Sequence, residues 1–291
     1  MSLFSPNRWY TPKTTDEAVK IIEEHPGEAL LFGGGTYIHE LRERGSLEWV
    51  KACVDLQAIG LNYLEKTQDG IKVGAMATLN DVISCAGFRA GGFESLIQAA
   101  YAMGPEQIKN AATLGGAVGC RVPIIDVVPA LISLGAKVML RVAGETRVIG
   151  LEELLNGPEA SLLGRTAVIV EFLVPQPAPG SRSHFRKFRR SAADWPIVNA
   201  SVLVRVDSAR DCADARLVVG SRPEGYFRLK KSEEFLVGKQ INGDTLEALP
   251  HVVSSEVRLE NHFTASAEYK KALAGTFVRE AVQRAVEAEP S

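Results

Sequence analysis

Residues Ile108–Leu134 read IKNAATLGGAVGCRVPIIDVVPALISL, a paired-glycine turn followed by an apolar run broken by one aspartate and two prolines. Glycine lets a backbone come close to a ligand with its N–H groups exposed, which suits a phosphate held by main chain alone. A second such turn lies upstream. Residues Ala29–Arg44, ALLFGGGTYIHELRER, pass from a short apolar stretch through Gly33, Gly34 and Gly35 into a helical pattern. Phosphate oxygens placed over that helix start would meet unpaired amides and the positive end of the dipole. Two phosphate-sized nests imply one pyrophosphate.

The chain has 291 residues, enough for about two domains and a large core. Its 33 Lys plus Arg against 35 Asp plus Glu leave a formal charge of −2, so nucleic-acid binding is disfavoured and no electrostatic drive toward an anionic membrane exists. Cys53, Cys85, Cys120 and Cys212 are far apart and form no CxxC pair. They read as reduced, mostly buried thiols, and neither zinc nor an iron–sulfur cluster is expected on this chain. The five histidines are scattered, so no His metal site is expected either. The N-terminal stretch MSLFSPNRWYTPKT lacks the plan of a signal peptide, and no apolar run reaches the length of a membrane span. The expectation is a soluble, cytoplasmic protein.

Thr14 and Glu17 have capping-box spacing and open a first helix that ends near His25, Pro26 and Gly27. A strand at Ala29–Phe32, the glycine turn, a helix over about Tyr37–Arg44 and a strand through Ala52–Leu56 then form a β-α-β lobe ending near Gly60. Asp69-Gly70 marks a hairpin, followed by a helix capped by Thr78 or Asn80 and a longer helix over about Phe93–Met103. Beyond the second glycine turn the pattern predicts a helix at Asp126–Leu134 and strands at Lys137–Val142, Thr146–Ile149 and Ala167–Leu173. Strands and helices mix without strict alternation, which argues for α+β. Val174–Ser183, VPQPAPGSRS, is the best domain boundary. Strands at about Ser183–Phe188, Val198–Val206 and Ala213–Val219 follow. A last helix over about Ser266–Glu287 sets Tyr269, Leu273, Phe277 and Ala281 on one face.

Familiar nucleotide and hydrolase motifs fail on the residues. GGGTYIHE lacks the third glycine of GxGxxG, and no GxxxxGK[ST] occurs. Glu43 stands where a zincin needs histidine, and no GxSxG elbow is present. No residue is expected to act as a catalytic acid, base or nucleophile.

Read together, four segments resemble the FAD-binding (medium) subunit of the molybdenum hydroxylases, the carbon monoxide, nicotinate and xanthine dehydrogenase group. They are LLFGGGTYI, GPEQIKNAATLGGAVGCRVPIIDVVPAL, FRKFRRSAADWPIVNASVLV and ASAEYKKALAGTFVREAV, in the family's order across Leu31–Val282. The resemblance implies an α+β fold: an FAD-binding domain of two lobes (the PCMH type) over residues 1–60 and 61–176, then a C-terminal domain over 182–288 with a three-stranded antiparallel sheet and a helical bundle. It implies FAD as the cofactor of this chain. Leu31, Phe32, Gly33, Gly34, Gly35, Thr36, Tyr37 and Ile38 would form one half of the pyrophosphate cradle, and Thr113, Leu114, Gly115, Gly116 and Ala117 the other.

By the same resemblance Asp126 lies over the adenosine-phosphate side of FAD, Lys187 lies near the flavin and Trp195 beside the isoalloxazine. On the residues alone, Asp126 reads equally as a helix N-cap, Lys187 as a solvated member of the basic run RKFRR, and Trp195 as a core or interface aromatic. Many members carry asparagine where Ala117 stands, so a side-chain hydrogen bond available to them is not available here. Tyr37 and Cys120-Arg121 also depart from the common pattern.

The implied assembly is a heterotrimer. A large molybdopterin-binding subunit would hydroxylate the substrate, a small subunit would carry two [2Fe–2S] centres, and this chain would deliver electrons to NAD⁺, a quinone or another acceptor. The alternatives are a non-catalytic assembly subunit with the same fold and a stand-alone FAD oxidoreductase.

Overall fold

The computed structural model describes residues 6–89, 91–191 and 194–287. The first five residues of the N-terminal stretch, two alanines of the segment before Trp195 and the last position of the 182–288 span lie outside the described residues. The chain packs as two compact units that interleave along the sequence. One comprises the described residues up to Val82 with Pro105–Arg121 and Ala136–Val174, and the other Ile83–Gly104, Val122–Gly135 and the described residues from Pro175 onward.

The first unit opens on a three-stranded sheet of β1 (Arg8–Tyr10), β2 (Ala29–Phe32) and β3 (Ala52–Asp55), in the order β1-β3-β2 with both pairings parallel. Helix Thr15–Glu24 precedes β2. Its N-cap Thr14 accepts from the Glu17 amide at 3.1 Å, while the Glu17 carboxylate takes the Lys13 amide rather than that of Thr14. The helix Thr36–Glu43 carries β2 over to β3 as the β-α-β pattern predicts. Its Ile38 and Leu41 pack with Leu30 against buried Leu47, Val50 and Cys53.

The same unit holds a five-stranded sheet of β4 (Leu64–Lys66), β5 (Gly70–Gly74), β6 (Lys137–Val142), β7 (Glu145–Gly150) and β8 (Ala167–Pro175), ordered β4-β5-β8-β6-β7. The hairpin at Asp69-Gly70 joins β4 to β5. Val138, Leu140 and Val142 alternate into the core, as one buried face of a strand requires. Helix Leu79–Ser84 follows, with Thr78 as its cap: the Thr78 hydroxyl accepts from the Asp81 amide and the Asp81 carboxylate accepts from the Thr78 amide.

The second unit is built on β9 (Ser181–Phe188), β10 (Val198–Val206), β11 (Cys212–Ser221) and β12 (Gly225–Arg228), antiparallel throughout in the order β12-β11-β10-β9. The expected three strands are thus joined by a fourth. It escapes a sequence reading because its four residues are all half-buried and carry no alternation. Helices Lys230–Leu236, Gly243–Glu256 and Ala267–Glu287 complete the unit and bury one continuous apolar core with β10 and β11. In the last helix the buried face is Lys270, Ala274, Phe277, Val278, Ala281, Val282 and Ala285, whereas Tyr269, expected on that face, is 47% exposed. Helices Glu94–Ala102 and Val127–Ser133, read as parts of the second lobe, pack with these C-terminal strands. Every residue of Val127–Ser133 is buried, and a helix apolar on all sides needs cover on all sides.

Candidate functional site

Strand β2 ends at Phe32 and delivers the chain into Gly33, Gly34 and Gly35. Here the two glycine bends meet, inside the first unit. A Cβ on Gly34 would fall 1.5 Å from the carbonyl oxygen of Ala111, and one on Gly33 would fall 2.9 Å from the hydroxyl of Thr113. No side chain fits at Gly34, so glycine is what permits the contact. Gly35 stands at φ +71°, a left-handed conformation that favours glycine, and caps the helix Thr36–Glu43. The Phe32 ring lies directly beneath it, 2.8 Å from where a Cβ would be.

The bends use their amides differently. Among the described residues, none accepts a hydrogen bond from the amides of Gly33, Gly34, Gly35 or Thr36. Three of these donors precede an eight-residue helix and the fourth opens it, the arrangement that binds an anion. In the second bend the Leu114 amide donates to Ala77 O at 2.9 Å and the Gly115 amide to Ala75 O at 2.8 Å. The Gly116 amide donates to the Thr113 hydroxyl at 3.0 Å and the Ala117 amide to Thr113 O at 2.9 Å. The expectation of two nests of exposed amides is therefore corrected. The second bend folds into a short helix, Leu114–Gly119, capped by Thr113, and its donors are consumed inside the protein. Its glycines serve close packing: a Cβ on Gly115 would sit 2.6 Å from Ala75 O.

Leu31, Phe32, Thr36, Tyr37 and Ile38 are all half-buried, and no residue of the helix Thr36–Glu43 is fully buried. Thr113 and Leu114 are buried under the bend, and Ala117 presents only a buried methyl. Arg121 ends the segment at φ +54°.

Asp126, Lys187 and Trp195 belong to the other compact unit. Asp126 is the residue before helix Val127–Ser133, yet its side chain makes no capping bond. It is buried, and its carboxylate accepts from Lys187 Nζ at 2.5 Å and from Asn199 Nδ2 at 3.1 Å. Lys187 Nζ also donates to Ala102 O at 2.5 Å. The lysine is thus not a solvated member of its basic run. Burial pushes the Asp126 carboxyl up, and the Lys187 and Asn199 contacts pull it back. Trp195 is half-buried.

Two residues of note carried no sequence signal. Asn199 lies within a strand whose first seven residues are all buried, so its amide reads as an interruption until Asp126 is seen beside it. Trp9 meets the Phe32 ring with centroids 5.2 Å apart and the planes tilted by 59°, across the sheet from the first bend. Period-two alternation of β1 with β3 and β2 could have put them on one face, had the parallel register been known.

Among the described residues no group of His, Cys, Asp or Glu could hold a metal ion, and no helix is long and apolar enough to cross a membrane. None of the four cysteines is in a disulfide, and burial pushes the Cys53 and Cys212 thiols up to about 11. Thiolate chemistry at neutral pH is thereby suppressed at both.

Residues 4–177 match the family described as the FAD binding domain in molybdopterin dehydrogenase, and residues 183–285 the CO dehydrogenase flavoprotein C-terminal domain. The glyceraldehyde dehydrogenase medium chain of Sulfolobus acidocaldarius is 23% identical over 89% of this chain and 91% of its own. The nicotinate dehydrogenase FAD-subunit of Eubacterium barkeri is 26% identical over 90% of each. A carbon monoxide dehydrogenase structure from Hydrogenophaga pseudoflava superposes with a TM-score of 0.88 at 24% identity, covering 97% of this chain and 98% of that one.

Proposed function

The chain belongs to the FAD-binding family of the molybdopterin dehydrogenases, and from that premise we propose that it is the electron outlet of a molybdenum hydroxylase. In this reading it takes electrons from [2Fe–2S] centres of a small partner subunit and delivers them to NAD⁺ or another acceptor, while a large molybdopterin subunit works on the substrate, in a cytoplasmic heterotrimer. The observation that carries it is the contact of Gly34 with Ala111, which sets four unpaired amides over a helix start.

The residues present fit the cofactor. FAD carries a diphosphate, and the amides of Gly33, Gly34, Gly35 and Thr36 are donors with no acceptor in the chain among the described residues. When bound, FAD supplies the redox chemistry. The chain's own part is to bind and orient. The first bend would hold the diphosphate by backbone, with Leu31, Phe32, Tyr37 and Ile38 around it. Thr113, Leu114, Gly115, Gly116 and Ala117 would form the wall that keeps the bend in place, with the Thr113 hydroxyl as its polar contact. Asp126, Lys187 and Trp195 remain proposed contacts of the second unit. The ion pair between the first two supports a role in which Asp126 fixes the direction of Lys187.

The relatives serve complexes named for glyceraldehyde and for nicotinate at nearly the same identity to this chain.

The test is a visible absorption spectrum of the chain purified with its complex, followed by reconstitution with FAD. A bound flavin spectrum, bleached when the complex is given its substrate, is the expected result. A complex that turns over with no flavin bound, and a chain that takes up none on reconstitution, would leave an assembly subunit as the remaining reading.

A further inference from the structure

Trp9 lies on edge strand β1 in a row with Cys53 of β3 and Leu30 of β2. Alternation puts Phe32, two residues beyond Leu30, on the same face. Cys53 between them is fully buried, while Trp9 is 49% exposed. The indole reaches across to the Phe32 ring at 5.2 Å between centroids, and the far edge of that ring lies under Gly35. A pair of aromatic rings in tilted contact, their planes 59° apart, thus leads from the first bend to the rim of the sheet. Among the described residues none accepts a hydrogen bond from the Trp9 indole N–H. Trp49, the other strongly exposed tryptophan, donates its own to Ser46 O at 3.1 Å. A tryptophan left half in water, with no acceptor for its N–H among the described residues and a bend of unpaired amides nearby, is suited to a planar heterocycle.

We propose that Trp9 is a stacking surface for the adenine of the dinucleotide whose diphosphate sits on Gly33–Thr36. This inference rests on the flavoprotein reading given above. Adenine is favoured over the isoalloxazine by the exposure of Trp9. The reacting ring of a flavin is best held where solvent is restricted, whereas adenine serves only as an anchor and tolerates a wet edge.

The full chain, freed of bound flavin, is titrated by calorimetry with FAD, with ADP and with FMN, as wild type, Trp9→Leu and Trp9→Phe. ADP keeps the adenine and diphosphate without the flavin, and FMN keeps the flavin without the adenine. Trp9→Leu is expected to weaken FAD and ADP about tenfold, within the range that a base stacked on an aromatic ring contributes, and to leave FMN unchanged. Trp9→Phe is expected to restore most of the loss, which a purely structural role for the indole would not require. Unchanged FAD affinity in Trp9→Leu, or a loss confined to FMN, overturns the proposal. Circular dichroism and thermal midpoints of both variants separate loss of stacking from loss of fold. A wild-type chain that binds no FAD sinks the parent reading, a result distinct from a wild type that binds FAD and a Trp9→Leu variant that binds it equally.

Discussion

Gly34 lies against Ala111: a Cβ on the glycine would overlap the carbonyl oxygen of the alanine at 1.5 Å. The two residues are remote in the sequence, and their contact brings the bend after β2 onto the segment that leads into Thr113. The first bend is thereby braced by the second, and its amides stay unpaired because the brace is made of van der Waals contact rather than hydrogen bonds.

Gly34→Ala is expected to destabilise the chain by more than about 3 kcal/mol, since backbone cannot give way as a side-chain tip can, and to abolish FAD binding. Gly45→Ala is the control. Its site has nothing within 4 Å, and only its φ of +67° is unfavourable to alanine, so the cost should stay near 1 kcal/mol with flavin retained. Thermal unfolding and a flavin fluorescence titration read both. Equal behaviour of the two variants would show that the contact is not as tight as described.

The Lys187–Asp126 pair should behave as a buried ion pair with asymmetric costs. Lys187→Met leaves a buried carboxylate with Asn199 as its remaining side-chain hydrogen-bond partner among the described residues, a loss of about 3–5 kcal/mol. Adding Asp126→Asn to that variant should recover part of the loss, because the uncompensated charge is gone. A double-mutant cycle in urea gives the coupling. Additive losses would mean that the two side chains do not sense each other.

A pH dependence follows from His184, whose ring nitrogen Nδ1 lies 3.2 Å from Gln98 Nε2. Burial, together with Arg186 and Arg284, pushes its imidazolium down to about 4. The unfolded chain protonates near pH 6.5 and the folded chain does not, so this residue's contribution is fully present above about pH 6.5 and is lost as pH falls toward 4. Solvent reaches part of the ring, which limits the effect to about 1–2 kcal/mol. His184→Gln should flatten the stability profile between pH 6.5 and 4, and an unchanged slope in that variant would assign the pH dependence to other groups.

Much of the fold is legible residue by residue. Thr14 before a helix, Asp69-Gly70 between two strands, and the apolar periodicity after Asp126 each signal their element through interactions within a few positions, and the structure has each of them. The short strand Gly225–Arg228 carries no such signal, because its identity comes from pairing with Val218–Ser221 alone. Four-residue spacing puts Tyr269 on one face with Leu273, Phe277 and Ala281, but the buried face is shifted toward Lys270 and Ala274, because the neighbours that bury a helix choose its face.

The candidate site divides along the same line. Glycine at 33–35 and 115–116 marks where a backbone must come close to something, and this is a local property of a residue without a side chain. What it comes close to is not local. Folding spends the amides of Leu114 and Gly115 on Ala77 and Ala75 and leaves those of Gly33 to Thr36 open. It also turns Asp126 from its helix cap to Lys187 and Asn199. A hydrogen-bond donor is settled by whichever acceptor the packing brings within about 3 Å, and for these residues that acceptor lies on another segment of the chain.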